Sequence, residues 1–197
     1  MEELSLKEIK DILESNHSLK SSKIINDEKI ESISCDSRSV EKQSLFFCKG
    51  QNYKPEYLGD AIKCGAVAYI SEIQYEKYEA SYFIVTDILK AMAIIAARFY
   101  GYPAKSLELI GITGTKGKTT TYFLKNILET FLNREVGTIS SINVNTGKRN
   151  EEAHLTTPES LDLHKMFYVI KESNLKYAVM EVSSQSYKRN RLYGVEF

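Results

Sequence analysis

No excess charge of either sign marks this chain: lysine plus arginine total 26, and aspartate plus glutamate also total 26. Without a general field the protein is not drawn as a whole to nucleic acid or to an anionic membrane, so any anion site has to be local. Cysteine is scarce as well. Cys35, Cys48 and Cys64 are odd in number, lack a C-x-x-C spacing and have no histidine nearby. That pattern argues against a disulfide framework or a zinc site and favours reduced, partly buried thiols. Long hydrophobic runs are missing. The start, "MEELSLKEIKDIL", is charged from its second residue, and no later run approaches the ~18 apolar residues of a membrane span. The expectation is a cytoplasmic protein that does not insert into membranes. Repeats and low-complexity segments are absent too. What is present, 43% hydrophobic residues over 197 positions, suffices for a globular chain of one large or two small domains.

Periodicity divides the chain. Ser5 followed by Glu8 forms a capping box before Leu6, Ile9, Ile12 and Leu13, predicting an amphipathic helix over residues 6–14. "IESISCDSRSV" reads as strand and polar loop, "SLFFCKG" as a strand, "EYLGDAIKCG" as a helix stopped by Gly65, and "AVAYI" and "YFIVTD" as strands. "ILKAMAIIAARFYGYP" is a strong helix closed by Gly101 and Pro103. These elements make a first α/β domain over residues 1–105. From residue 106 to 197 a buried-type strand "LELIGIT", a glycine-rich loop, an apolar-striped helix (Phe123, Leu124, Ile127, Leu128, Phe131, Leu132), then strand, helix and strand alternate. That alternation predicts a second, mostly parallel, doubly wound sheet with a P-loop (Rossmann-like) arrangement. Only three or so of its strands are expected here, fewer than such sheets hold, which predicts a fragment of a longer protein.

The glycine-rich stretch "GITGTKGKTTT", residues 111 to 121, cannot build a core. A strand entering such a turn, with a helix opening directly after it, aims several backbone N–H groups and a positive helix end at one point, which suits phosphate. Lys118 adds a mobile charge, and Thr119 stands where a P-loop hydroxyl ligates Mg²⁺. The strict G-x-x-x-x-G-K-[ST] spacing fails by one residue, because Ile112 occupies the first glycine's place. "KYAVMEV" is a hydrophobic strand ending in Glu181. In P-loop folds such a carboxylate lies beside the phosphate loop and reaches the metal.

"GTKGKTT" resembles the phosphate loop of the ATP-dependent Mur ligases of peptidoglycan assembly. "CDSRSV…SLFFCKG", "LTTPESLDL" and "MEVSSQSYKRNRLYGVEF" resemble successive signatures of their MurE type, the UDP-N-acetylmuramoyl-tripeptide synthetases, so the likeness spans essentially the whole chain. Lys116, where many relatives have Asn, and Gln185, where many have His, look most similar to the branch that adds L-lysine rather than meso-diaminopimelate.

The resemblance implies a fold, a reaction and a residue set. The fold is an N-terminal domain that binds the UDP substrate, followed by an incomplete central ATP-binding domain, with the C-terminal domain absent. In the reaction ATP phosphorylates the D-glutamyl carboxylate of UDP-N-acetylmuramoyl-L-alanyl-D-glutamate, and the amine of an amino acid displaces phosphate. Gly114, Thr115, Lys116, Gly117, Lys118, Thr119 and Thr120 would hold ATP, with Lys118 catalytic and Thr119 and Glu181 as Mg²⁺ ligands. Thr156, Thr157, Ser183 and Arg191 would contact the muramoyl substrate, and Ser37 its uridine end. Read alone, Ser37 is a turn residue, Thr156-Thr157-Pro158 a helix start and Arg191 a surface arginine. The expected parent is a monomer that binds no nucleic acid, and residues 1–197 alone are expected to make no amide. Two other readings stand beside this one: a non-catalytic nucleotide-sugar- and ATP-binding fragment, and another P-loop NTPase such as a nucleotide kinase.

Overall fold

The computed structural model describes residues 3–50, 53–148, 150–152 and 155–197. His154, to which no chemistry is assigned, lies outside them. The chain divides into two compact units, Met1–Phe99 and Tyr100–Phe197. Ala104, in the 3₁₀ turn Pro103–Ser106, is part of the second unit's core.

In the first unit β1 (Leu4–Ser5) leads into α1 (Leu6–Ser15). The capping box forms as its residues dictate: Glu8 N–H donates to Ser5 Oγ at 3.2 Å and Ser5 N–H to Glu8 Oε2 at 2.8 Å. Then follow β2 (Leu19–Lys23), β3 (Lys29–Ile30), β4 (Ser32–Ser34), β5 (Ser44–Phe47), α2 (Pro55–Cys64), β6 (Ala66–Ser71), β7 (Ser81–Val85) and α3 (Ile88–Phe99). The main sheet runs β2-β7-β6-β5-β4, parallel except for β2, which adds antiparallel to β7 at one edge. β1 and β3 form a separate antiparallel pair. All four residues of β5 are buried, as expected of a parallel strand covered on both faces. Gly65 ends α2 at φ +115°, and a Cβ there would lie 2.9 Å from the Lys42 backbone, so both conformation and space require glycine. Among the cysteines Cys48 is buried, Cys35 half-buried and Cys64 exposed, and all three are free. Burial pushes the Cys48 thiol up to about 12, which makes it a poor nucleophile.

The second unit comprises β8 (Glu108–Ile112), α4 (Gly117–Leu132), β9 (Gly137–Ile139), β10 (Asn143–Asn145), β11 (Asn150–Glu152), α5 (Ser160–Glu172), β12 (Tyr177–Glu181) and α6 (Ser184–Lys188). The strand order is β11-β10-β9-β12-β8. β12 lies between β9 and β8 and is parallel to both, whereas β10 and β11 form an antiparallel hairpin at the β9 edge. The sheet thus has five strands, not the three expected. Its added hairpin, "NVNTGKRNEE", is asparagine-rich and low in β-propensity, so its pairing comes from tertiary context and from Gly147 turning at φ +79°. The core gathers Leu109, Ile139, Ala178 and Met180 of the sheet with Leu163, Phe167 and Ile170 of α5. α4 buries less than its pattern predicts. Leu124, Leu128 and Leu132 are half-buried, while Phe123, Ile127 and Phe131 remain 61%, 62% and 84% exposed.

His164 of α5 is fully buried, its Nε2 3.2 Å from the Tyr193 carbonyl and its Nδ1 without a partner among the described residues. Burial lowers its pKa to about 4. The native imidazole stays neutral where the unfolded one takes up a proton below about 6.5. Its contribution to stability is therefore full above that pH and falls as pH drops towards 4, by about 2 kcal/mol between pH 6.5 and 5. Urea unfolding at pH 7 and pH 5 should show this loss in the wild type and not in His164→Leu; equal losses in both would contradict it.

Candidate functional site

The C-terminal ends of β8, β12 and β9 lie side by side, and each opens into a segment carrying polar groups. β8 and β12 are paired so that Ile112 stands opposite Glu181, and Val182 N–H donates to Ile112 O at 2.8 Å. In parallel α/β sheets this rim, where strand order reverses, is where ligands bind.

From β8 the loop turns through Gly114, at φ +144°, and Gly117 N–H closes on Gly114 O at 3.1 Å. Gly117 is buried and opens α4, whereas Gly114, Thr115, Lys116, Lys118, Thr119 and Thr120 are exposed. The strand, turn and helix thus follow the order that the sequence implies, with the first-turn N–H groups of a 16-residue helix at the rim. A Cβ on Gly117 would meet Glu181 Cγ and Oε1 at 3.2 Å each. A larger residue there would press on the carboxylate by a few tenths of an ångström, so glycine keeps the helix start close to it. Glu181 itself is 6% exposed. Its Oε2 accepts from Ser141 Oγ at 2.7 Å and from Ser141 N–H at 3.2 Å.

The expected substrate residues fall into two kinds. Thr156 and Ser183 are half-buried beside the rim. Thr157 and Arg191 are buried and hydrogen-bond within the protein, while Arg191 Nε has no partner among the described residues. Thr157 Oγ1 donates to Glu181 O at 3.1 Å and accepts from Ser183 N–H at 2.9 Å, tying the segment before α5 to the end of β12. Arg191 Nη1 donates to Thr157 O at 2.7 Å, and Nη2 pairs with Glu159 Oε1. Arg191 is thus not the surface arginine it resembles in isolation. Sequence reasoning assigned nothing to Ser141 or Glu159. Glu159 carried a signal, since it directly follows Thr156-Thr157-Pro158 before α5; Ser141 carried none beyond its place after β9.

In the first unit, Ser37 opens the 3₁₀ turn Ser37–Ser39. Ser34, Asp36 and Ser39 supply that turn's hydrogen bonds, including Arg38 N–H to Asp36 Oδ1 at 3.0 Å. The Arg38 side chain hydrogen-bonds the Asp36 carboxylate and holds it below the usual carboxylate range. Ser37 lines a cavity of about 620 Å³ with Arg38, Lys49, Tyr53, Tyr57 and Asp60 among its walls. Tyr53 and Tyr57 meet edge-on at 6.2 Å between ring centroids. Cations and aromatic faces in one concave site suit a nucleotide.

Among the described residues no group of three or more His, Cys, Asp or Glu side chains could hold a metal, and no helix is long and apolar enough to cross a membrane. A glycine-rich loop between parallel strand and helix, with a carboxylate at the end of the neighbouring strand, is the arrangement of a P-loop-type α/β domain. Residues 112–197 match the Mur ligase middle domain, and the chain belongs to the Mur ligase family. Over nearly its whole length it is similar to tripeptide synthetases. It is 44% identical over 193 residues to the UDP-N-acetylmuramyl-tripeptide synthetase of Ligilactobacillus salivarius, covering 94% of this chain and 37% of that protein. It is 42% identical over 207 residues to the UDP-N-acetylmuramoyl-L-alanyl-D-glutamate–L-lysine ligase of Enterococcus faecalis, covering 98% and 41%. A solved UDP-N-acetylmuramoyl-L-alanyl-D-glutamate–2,6-diaminopimelate ligase shares the fold, with a TM-score of 0.72 at 22% identity over 99% of this chain and 39% of that one. The chain therefore spans about two fifths of the length of these relatives.

Proposed function

We propose that the protein to which this chain belongs is a cytoplasmic, monomeric, ATP-dependent ligase that adds L-lysine to UDP-N-acetylmuramoyl-L-alanyl-D-glutamate. These 197 residues supply its unit for the muramoyl nucleotide and part of its ATP unit; alone they form no amide. The observation that carries the reading is the approach of the Glu181 carboxylate to the Gly117 helix start, on a chain about two-fifths identical to two such synthetases.

The chemistry needs activation because a carboxylate repels nucleophiles and oxide is a poor leaving group. A D-glutamyl carboxylate oxygen bonds to the γ-phosphorus of ATP while the bond to the β-phosphate oxygen breaks, giving an acyl phosphate and ADP. The lysine amine then bonds to the acyl carbon and phosphate departs, the amine losing a proton. Two anions have to meet in the first step, so the site has to neutralise charge and exclude water. Backbone N–H groups of residues 114–120 cradle the polyphosphate, and Lys118 follows the transferring γ-phosphoryl group. Thr156 and Ser183 face the muramoyl end, while Thr157 and Arg191 hold the segment that presents them. Ser37 and its cavity take the uridine end. Two oxygen donors, the exposed Thr119 hydroxyl and the Glu181 carboxylate, fit Mg²⁺, which takes few protein ligands beside water and phosphate. When bound, that ion would supply positive charge at the β- and γ-phosphates.

The lysine preference rests on similarity to an L-lysine ligase and on Lys116 and Gln185. Full-length protein given ATP, Mg²⁺, the muramoyl dipeptide and both amino acids in competition should yield mainly the lysine product by mass. A kcat/KM favouring diaminopimelate tenfold, about 1.4 kcal/mol, would overturn the preference.

A further inference from the structure

We infer that Ser141 is a positioning residue for the Glu181 carboxylate, fixing which oxygen that carboxylate presents to a divalent cation. The inference rests on the reading just proposed and assigns a role to a residue outside the phosphate loop and the substrate set.

The turn after β9 is braced from within. Ser140, 2% exposed, donates its N–H to Asn143 O at 3.1 Å, and its Oγ accepts from the N–H groups of Ile142 at 3.2 Å and Asn143 at 3.3 Å. That bracing leaves Ser141, at the tip, with both its N–H and its hydroxyl turned to Glu181 Oε2. The hydroxyl contact, at 2.7 Å, is shorter than the backbone one at 3.2 Å. Oε1 lies over Gly117, where the helix start approaches.

The terminal torsion of a glutamate is broad and roughly two-fold, so an unrestrained carboxylate would rotate. Here two donors hold one oxygen on the β9 side, and the other is left toward the phosphate loop. Removing the Ser141 hydroxyl keeps the weaker backbone donor and frees the rotation. A cation held partly by Glu181 then binds less well, while nucleotide contacts made by the loop backbone do not change.

The test compares full-length wild type, Ser141→Ala and Ser141→Thr by calorimetric titration of ADP, across a Mg²⁺ series and in excess chelator. Ser141→Ala is expected to raise the Mg²⁺ midpoint for tight ADP binding about tenfold without changing ADP affinity in chelator. Ser141→Thr, which keeps the hydroxyl, is expected to match the wild type. An unchanged midpoint in Ser141→Ala, an equal loss in chelator, or Ser141→Thr behaving as alanine would each overturn the inference while leaving the nucleotide site standing. Wild-type ADP binding that ignores Mg²⁺ would overturn both.

Discussion

Lys118→Ala in the full-length protein is expected to lower kcat at least about a hundredfold, the scale seen when one preorganised charge-stabilising donor is removed. Folding stability should stay within about 0.5 kcal/mol, as for surface substitutions. The contrast follows from its position. Lys118 is exposed on the first turn of α4, where its ammonium reaches into solvent and has no packing to lose. Phosphoryl transfer to a carboxylate, by contrast, places negative charge on both partners, and a cation that follows the transferring group stabilises that arrangement most in the transition state. Rate assays alongside denaturant unfolding separate the two effects. Turnover at the wild-type rate would refute the role, and unfolding of the variant would refute the claim that the side chain is free of structural duty.

Arg191→Ala should behave in the opposite way, destabilising the protein by about 3 kcal/mol, the cost of breaking a buried ion pair by removing one partner. The Arg191 side chain is 9% exposed and joins Thr157 O to Glu159. Its loss removes the hydrogen bond to Thr157 O and the ion pair with Glu159 and loosens the segment that Thr157 fastens to β12. Arg191→Lys should recover little, since an ammonium cannot reproduce the planar fork that reaches two acceptors at once. The measurement is the urea midpoint of the full-length variants, and a shift equivalent to less than about 0.5 kcal/mol would show that the pair is ornamental to folding.

These two residues also mark how far the sequence could be read. The strand–turn–helix placement of the glycine-rich loop was legible because glycine spacing after a strand encodes that backbone conformation directly. Glu181 was legible by its place at the end of an apolar strand. The burial of Arg191 was not, because nothing local distinguishes an arginine that solvates from one that turns inward to bind a carbonyl 34 residues earlier. Thr157 is similar: its hydroxyl is committed to Glu181 O and Ser183 N–H, both far along the chain. The β10–β11 hairpin escaped notice for a related reason. Val144 at 3% exposure anchors it, but its neighbours are asparagines, whose local preference is for turns. The apolar pattern of α4 correctly gave a helix, yet a pattern alone could not tell that Phe123, Ile127 and Phe131 would lie in solvent among these residues.

The central claim, that the loop and Glu181 serve amide ligation rather than another P-loop reaction, is tested most directly by phosphate release from ATP in the full-length protein, with each other substrate omitted in turn. The account predicts one ADP and one phosphate per amide formed, and no sustained release without both the muramoyl dipeptide and the amino acid. ATP turnover that proceeds at the same rate without the muramoyl dipeptide would contradict it.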